Sequence, residues 1–86
     1  MIPKRLNIKR ALITPTSETT ALINYSELLN ILEVEYKEGH RVYHYLDVEP
    51  SVWDQYKSIV ESGGSSGSFI NERIKPFYKA IEIEPC

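Results

Sequence analysis

The sequence predicts a small α+β domain, in which an antiparallel sheet of three to five strands carries one main helix and a short second helix on one face. Three observations lead to this prediction. Residues 31–36 alternate between apolar and acidic side chains, as a half-buried strand does. The Tyr-His-Tyr run at 43–45 lies in a stretch of strand-favouring residues. Pro50 then opens an amphipathic segment that a glycine pair at 63–64 ends.

Three strands are expected ahead of the main helix. They cover Thr20–Tyr25, Ile31–Tyr36 and Arg41–Leu46. Residues 1–16 are expected to form a basic N-terminal arm or a short strand, and residues 17–86 to form the single domain. Ile81 and Ile83 alternate with glutamates, which is typical of a closing edge strand.

The hairpin around Gly39 has two candidate registers. A two-residue turn at 38–39 pairs Val34 with Tyr43. It also pairs Leu32 with Tyr45, so that both tyrosines join the apolar face. A glycine bulge would shift the pairing by one residue and exchange the two faces. We favour the first register because it matches apolar residues with apolar residues.

The main helix is expected to run from Pro50 to about residue 62, with Glu49 before it held out of the helical region. Its apolar face is formed by Val52, Tyr56, Ile59 and Val60. A short second helix is expected at about 68–75, with Ser68 as its N-cap and Pro76 as its stop. The glycine-serine segment between the two helices is expected to be a mobile connector.

Charge and composition restrict the function classes. The net charge is −2, yet the first ten residues hold four cations and no carboxylate. These cations are Lys4, Arg5, Lys9 and Arg10. The acidic remainder argues against a diffuse basic surface for nucleic acid. No apolar run approaches the ~20 residues of a membrane span, and no signal peptide is recognised, so a cytoplasmic protein without membrane association is expected.

Candidate catalytic and metal-binding residues are few. His44, Glu33 and Glu35 share one face of the predicted sheet, but we favour an exposed cross-strand ion pair of His44 with Glu33 over a metal site. Cys86 is the single cysteine, and no serine lies in a Gly-x-Ser-x-Gly turn. We therefore expect neither enzymatic activity nor a metal or other cofactor.

Two features are candidates for ligand binding. The glycine-serine run at 63–68 precedes a short helix, with Arg73 and Lys75 one turn further in, which is compatible with a generic anion site. It lacks the Gly-Lys-Ser/Thr ending of a P-loop, and a connector with a capping serine is the favoured interpretation. Tyr43 and Tyr45 are suited to stacking on bases, although burial in the core is favoured for both.

A set of residues in fixed order resembles the KTSC domain family over roughly residues 17–78. The set comprises Leu32-Glu33-Val34-Glu35-Tyr36, Gly39, Tyr43-His44-Tyr45, Val48, Val52-Trp53, Gly67-Ser68-Phe69-Ile70-Asn71 and Ile74. Glu49 between Val48 and Pro50 departs from the family pattern, in which proline usually follows the valine directly. The family is named for its occurrence at the C-terminus of some lysyl-tRNA synthetases and also includes small bacterial proteins. The resemblance implies a bacterial domain of unknown function, with RNA binding suggested by the synthetase context.

Two functions follow as hypotheses. The first is binding of RNA, tRNA-like in the family context, by a small non-enzymatic domain. Its expected contacts are Tyr43, Tyr45, Asn71, Arg73 and Lys75, helped by the basic arm. The second is a protein–protein interaction module that engages a protein partner or a second copy through a strand edge or an aromatic surface. The family context favours RNA, whereas the acidic body of the chain favours a protein partner.

Overall fold

The computed structural model describes residues 5–6, 11–14 and 17–83, and its five strands form one antiparallel sheet in chain order. The strands are β1 (Leu12–Ile13), β2 (Thr20–Ser26), β3 (Ile31–Tyr36), β4 (Val42–Tyr45) and β5 (Ala80–Ile83). The helices are α1 (Pro50–Glu61) and α2 (Ser66–Phe69), and α2 continues directly into a π-helical turn, Ile70–Ile74. The predicted α+β class, with one main and one short helix, is confirmed. Neither helix of the described chain is long and apolar enough to cross a bilayer.

The register of the β3–β4 hairpin is the favoured one. Val34 pairs with Tyr43 and Leu32 with Tyr45. The turn itself differs from the prediction, because it is a four-residue loop whose last three residues, Glu38–His40, form a 3-10 turn. Gly39 and the residue after it both adopt positive φ, 66° and 50° respectively. The loop at 37–40 leaves Tyr36 opposite Arg41, which is the same pairing that a two-residue turn at 38–39 would have produced.

One face of the sheet packs against the helices. Leu32, Val34 and Tyr45 from the sheet join Trp53 and Tyr56 of α1 in one buried cluster. α2 adds Phe69, and the π-helical turn adds Ile70 and Ile74, to the same cluster. Both tyrosines of β4 therefore share a face with β3's apolar residues, as predicted.

The opposite face, called the outer face below, is buried at its centre. Glu33 and Val42 are fully buried there, and His44 is 2% exposed. The sequence-based expectation of an exposed Glu33–His44 pair was therefore wrong. Arg5 and Leu6 both contact Glu33, so part of the N-terminal segment lies over this face.

The N-terminal segment supplies a strand as well. Leu12–Ile13 forms β1 and pairs with β2, within the region predicted as an arm or short strand. Residues 7–10, where a strand or arm was also considered, lie outside the described residues. The closing strand predicted at Ile81 and Ile83 is confirmed as β5.

The N-cap of the short helix was misplaced by three residues, from Ser65 to Ser68. Its N-cap is Ser65, whose Oγ accepts a hydrogen bond from the Ser68 N–H at 3.1 Å, and the helix begins at Ser66. The preceding loop is closely packed rather than a loose connector. A Cβ atom at Gly64 would lie 2.6 Å from Ile59 Cγ2, and one at Gly67 would collide with the Thr19 hydroxyl. Gly64 allows the loop to approach α1, and Gly67 allows α2 to approach Thr19, the residue before β2.

Candidate binding groove

A groove of about 840 Å³ opens on the helix-covered side, between the turn end of the β3–β4 hairpin and the π-helical turn. We call it the tyrosine groove because four tyrosines line it. They are Tyr36, Tyr43, Tyr45 and Tyr78. Asn71 and Lys75 line it as well, so four of the five residues predicted to bind nucleic acid meet in one place.

The tyrosines are held by contacts with one another. The rings of Tyr36 and Tyr43 meet edge to face, with centroids 5.6 Å apart and planes at 77°. The hydroxyl groups of Tyr36 and Tyr45 lie 2.8 Å apart. The pKa of both hydroxyls is raised, mainly because both are buried. Both hydroxyls stay protonated at neutral pH, and one of them donates a hydrogen bond to the other.

The four tyrosines differ in what they offer a ligand. Tyr45 is only 3% exposed, so its ring belongs to the core and forms the floor of the groove. The expected burial in the core is therefore observed for Tyr45. Tyr36, Tyr43 and Tyr78 are half-buried, which leaves part of each ring accessible. Tyr43 also donates a long hydrogen bond, 3.4 Å, to Glu82 on β5.

The rim of the groove carries balanced charge. Lys75 places its ammonium 5.5 Å from the Tyr36 ring centroid, and Arg41 is an exposed neighbour. Two carboxylates, Glu18 and Glu38, also line the rim. Among the described residues, two cations and two carboxylates leave the rim with no net charge, which limits contact with a long run of phosphates.

Arg73 lies outside the groove. Its Nη2 donates to Gln55 Oε1 at 2.8 Å, and its guanidinium lies 5.5 Å from the Phe69 ring centroid. Residues two apart in a helix point to different sides, so Arg73 and Lys75 have separate surroundings. The structure thus separates two basic residues that the sequence analysis treated as one set.

Arg5, the cation of the basic arm that the structure describes, forms ion pairs outside the groove. Arg5 contacts Glu33 Oε1 at 3.3 Å and Glu35 Oε1 at 3.1 Å on the outer face. Its charge is therefore balanced by carboxylates away from the tyrosine groove. The other three cations of the arm lie outside the described residues.

Glu33 is the most completely hydrogen-bonded carboxylate among the described residues. It accepts from the Leu6 N–H at 2.9 Å, and from His44 Nε2 at 2.8 Å. Burial alone would raise its pKa, but hydrogen bonds from His44, Leu6 and Arg5 outweigh burial and lower it. Because the ionised carboxylate only accepts, His44 Nε2 carries the proton in this bond. We assign this cluster a structural role. Within the described chain, no three His, Cys, Asp or Glu side chains are placed to hold a metal.

The glycine-serine segment forms a second, polar cleft of about 580 Å³ with the end of β1. The Ser65 side chain already occupies the Ser68 N–H at the helix start. Ser66 is buried and hydrogen-bonded to Thr20 and Tyr56. The polar groups of this segment thus serve the fold itself.

The groove residues that were not predicted from the sequence include Tyr36, Arg41 and Tyr78. Tyr36 shares a strand face with Val34, and its N–H bonds the Arg41 carbonyl at 2.8 Å, so the predicted register already placed Tyr36 and Arg41 together. Tyr78 reaches the groove because β5 runs alongside β4, which pairs Tyr45 with Ala80. That long-range pairing has no local signal in the sequence.

The fold is a small α+β domain in which two helices cover one face of an antiparallel meander. The KTSC domain model matches residues 16–78, and the chain belongs to this family. The crystal structure of a KTSC domain protein from Yersinia pestis is similar, with a TM-score of 0.63 and 25% sequence identity. The similarity covers 79% of this chain and 89% of the Yersinia chain. No curated protein matches the chain.

Proposed function

We propose that the tyrosine groove binds a short single-stranded segment of RNA, such as an unpaired loop or end of a tRNA-like molecule. The observation that carries this proposal is the convergence of accessible tyrosine rings, Asn71 and Lys75 in one groove. Single-stranded RNA is recognised by stacking of unpaired bases on aromatic side chains and by hydrogen bonds to base edges. The occurrence of KTSC domains on lysyl-tRNA synthetases agrees with this ligand class.

Each part of the groove has a role in the proposal. Tyr43 is braced by the Tyr36 ring, so its accessible surface is a preformed platform for a base. Base–aromatic stacking contributes about 1–3 kcal/mol per base in such sites. The exposed amide of Asn71 has both a donor and an acceptor with which to bond a base edge. Tyr45 supports the platform from below rather than stacking on a base itself.

The charges of the groove restrict the ligand further. Among the described residues that line the groove, Lys75 and Arg41 are the cations available for phosphates, and Glu18 and Glu38 oppose a long phosphate path. For single strands each neutralised phosphate adds about −0.7 to the slope of log affinity against log salt. Two contacts predict a slope of about −1.4, shallower than that of a general nucleic-acid binder.

An NMR titration with a short single-stranded RNA tests the proposal. We expect amide shifts at Asn71, Lys75 and Tyr43, and none at Arg73 beyond those of its neighbours. Replacing the ring, Tyr43→Ala, is expected to weaken binding by about 1–3 kcal/mol, or roughly 5- to 150-fold. The matched variant Tyr43→Phe keeps the ring and loses only the long bond to Glu82, so it is expected to bind nearly as well.

Two results would reject the proposal. One is the absence of shifts at low salt with millimolar RNA. The other is a set of shifts confined to the outer face near Arg5, which would indicate that the arm rather than the groove contacts RNA.

A further inference from the structure

Some backbone N–H and C=O groups of β5 point away from β4, toward the open edge of the sheet. Leu46 N–H bonds the Lys79 carbonyl at 2.9 Å, so Leu46 and Lys79 are a hydrogen-bonded pair. In antiparallel strands such pairs alternate, and Ile81 and Ile83 therefore also bond β4. Ala80 and Glu82 then direct their N–H and C=O groups outward.

β5 lies at an edge of the sheet, and within the described residues it pairs only with β4. Edge strands are commonly protected by proline, by lysine or by being very short. Ala80–Ile83 contains neither proline nor lysine, whereas the opposite edge, β1, has only two residues. The β5 edge is thus the less protected of the two.

The outward N–H and C=O groups of Ala80 and Glu82 can all pair with the same groups of a second β5 strand in one register. In an antiparallel pair of two β5 strands centred on Ile81, Ala80 of one copy lies opposite Glu82 of the other. Both are outward-facing residues, so the two pairs exchange four N–H···O bonds. A register centred on Glu82 would instead place two carboxylates directly opposite each other, which is unfavourable.

We propose that a second copy of this chain docks at the β5 edge, antiparallel and centred on Ile81, to form a continuous ten-stranded sheet. The two-fold axis is perpendicular to the sheet, as in any antiparallel strand pair, so the interface is isologous. Both tyrosine grooves lie on the same side of the joined sheet. This self-association goes beyond RNA binding and does not depend on it.

The dimer is expected to be weak. Two four-residue strands bury far less than the roughly 1,200–2,000 Å² of a standard stable interface. Its side-chain contribution comes mainly from Ile81, which is half-buried on the outer face and meets its own copy across the axis. Association is therefore concentration-dependent, which the experiment has to allow for.

Cysteine crosslinking tests the register. In a Cys86→Ser background, Ile81→Cys places two thiols in a non-hydrogen-bonded pair with Cβ atoms about 4.5–5.5 Å apart. Mild oxidation is expected to give a disulfide-linked dimer. The matched variant Ala80→Cys in the same background puts its thiols two residues out of register, with Cα atoms beyond about 7 Å, and is expected to remain monomeric. Equal crosslinking of both variants, or none of either, would overturn the proposal.

Sedimentation of the otherwise unmodified chain provides the second test. The average mass is expected to rise with concentration into the millimolar range. Ala80→Pro removes an outward N–H and is expected to abolish that rise while keeping the fold. Ile13→Pro is the control at the other edge of the sheet, and it is expected to leave the rise unchanged. Thr14 N–H bonds the Ala21 carbonyl at 3.0 Å, so the neighbouring Ile13 N–H faces outward from β1, as the Ala80 N–H does from β5. A mass that stays monomeric at every concentration, or that both prolines lower equally, would contradict the β5 dimer.

Discussion

At the scale of single residues, the outer face shows how a charged side chain becomes part of a core. Glu33 is fully buried because Arg5, Leu6 and His44 satisfy its oxygens. Strand alternation from the sequence assigned Glu33 to solvent, since acidic residues between apolar ones normally face water. Its N-terminal partners lie 27 and 28 residues away in sequence, so no local pattern could reveal them.

Replacing this carboxylate tests its structural role. In Glu33→Gln the new amide group presents a donor to Arg5, His44 or Leu6, each of which already donates. We expect the free energy of unfolding at pH 7 to fall by about 1–3 kcal/mol. Glu35→Gln is the control, because Glu35 also contacts Arg5 but is partly exposed, and a loss below about 1 kcal/mol is expected. Equal losses in chemical denaturation would contradict a special role for Glu33.

The same residue predicts a dependence on pH. The folded state lowers the pKa of Glu33 below its ordinary value of 4.5, so the unfolded chain takes up the proton first as pH falls. The stabilisation is therefore complete above about pH 5 and is lost as pH falls through the folded pKa. Between pH 7 and pH 3 the native chain should lose more unfolding free energy than Glu33→Gln. Parallel pH profiles for the two proteins would contradict this assignment.

At the scale of elements, sequence reasoning succeeded where packing and local chemistry agree. The β3–β4 register followed from matching apolar residues, and Pro50 marked the start of α1. The N-cap of α2 was misassigned because the segment 65–68 contains three serines, each able to cap. The structure shows Ser65 in this role, and the helix that it caps packs at Gly67 against Thr19, a residue far away in the chain.

Two serine variants distinguish the caps. Ser65→Ala removes the oxygen that accepts the Ser68 N–H and is expected to lower the unfolding free energy by about 0.5–2 kcal/mol. Ser68→Ala leaves that bond intact, because only its backbone N–H takes part, and is expected to have an effect within about 0.5 kcal/mol. Thermal or chemical denaturation of the two variants measures both losses in unfolding free energy and shows which serine is the cap. A larger loss in Ser68→Ala would restore Ser68 as the cap.

At the scale of the whole molecule, the tyrosine groove is a product of topology. Its lining comes from the residues just before β2, the β3–β4 hairpin, α2 with the π-helical turn, and the start of β5. Tyr43 and Tyr45 lie on the helix-covered face, as their alternation in β4 predicted. Residues two apart in a helix face different sides, so Lys75 and Arg73 could have been separated from the predicted helix alone. Which of the two faces the groove depends on how the π-helical turn packs against α1, where Arg73 bonds Gln55.

This separation provides the most direct test of the central claim, that the tyrosine groove binds single-stranded RNA. The measurement is the affinity for a short labelled RNA by fluorescence anisotropy across a range of salt concentrations, for Lys75→Ala and Arg73→Ala. Lys75→Ala is expected to weaken binding by about 1 kcal/mol, roughly fivefold, and to reduce the salt slope by about 0.7. Arg73→Ala, which removes the same charge outside the groove, is expected to leave both unchanged. Equal effects of the two variants, or a larger effect of Arg73→Ala, would contradict the claim.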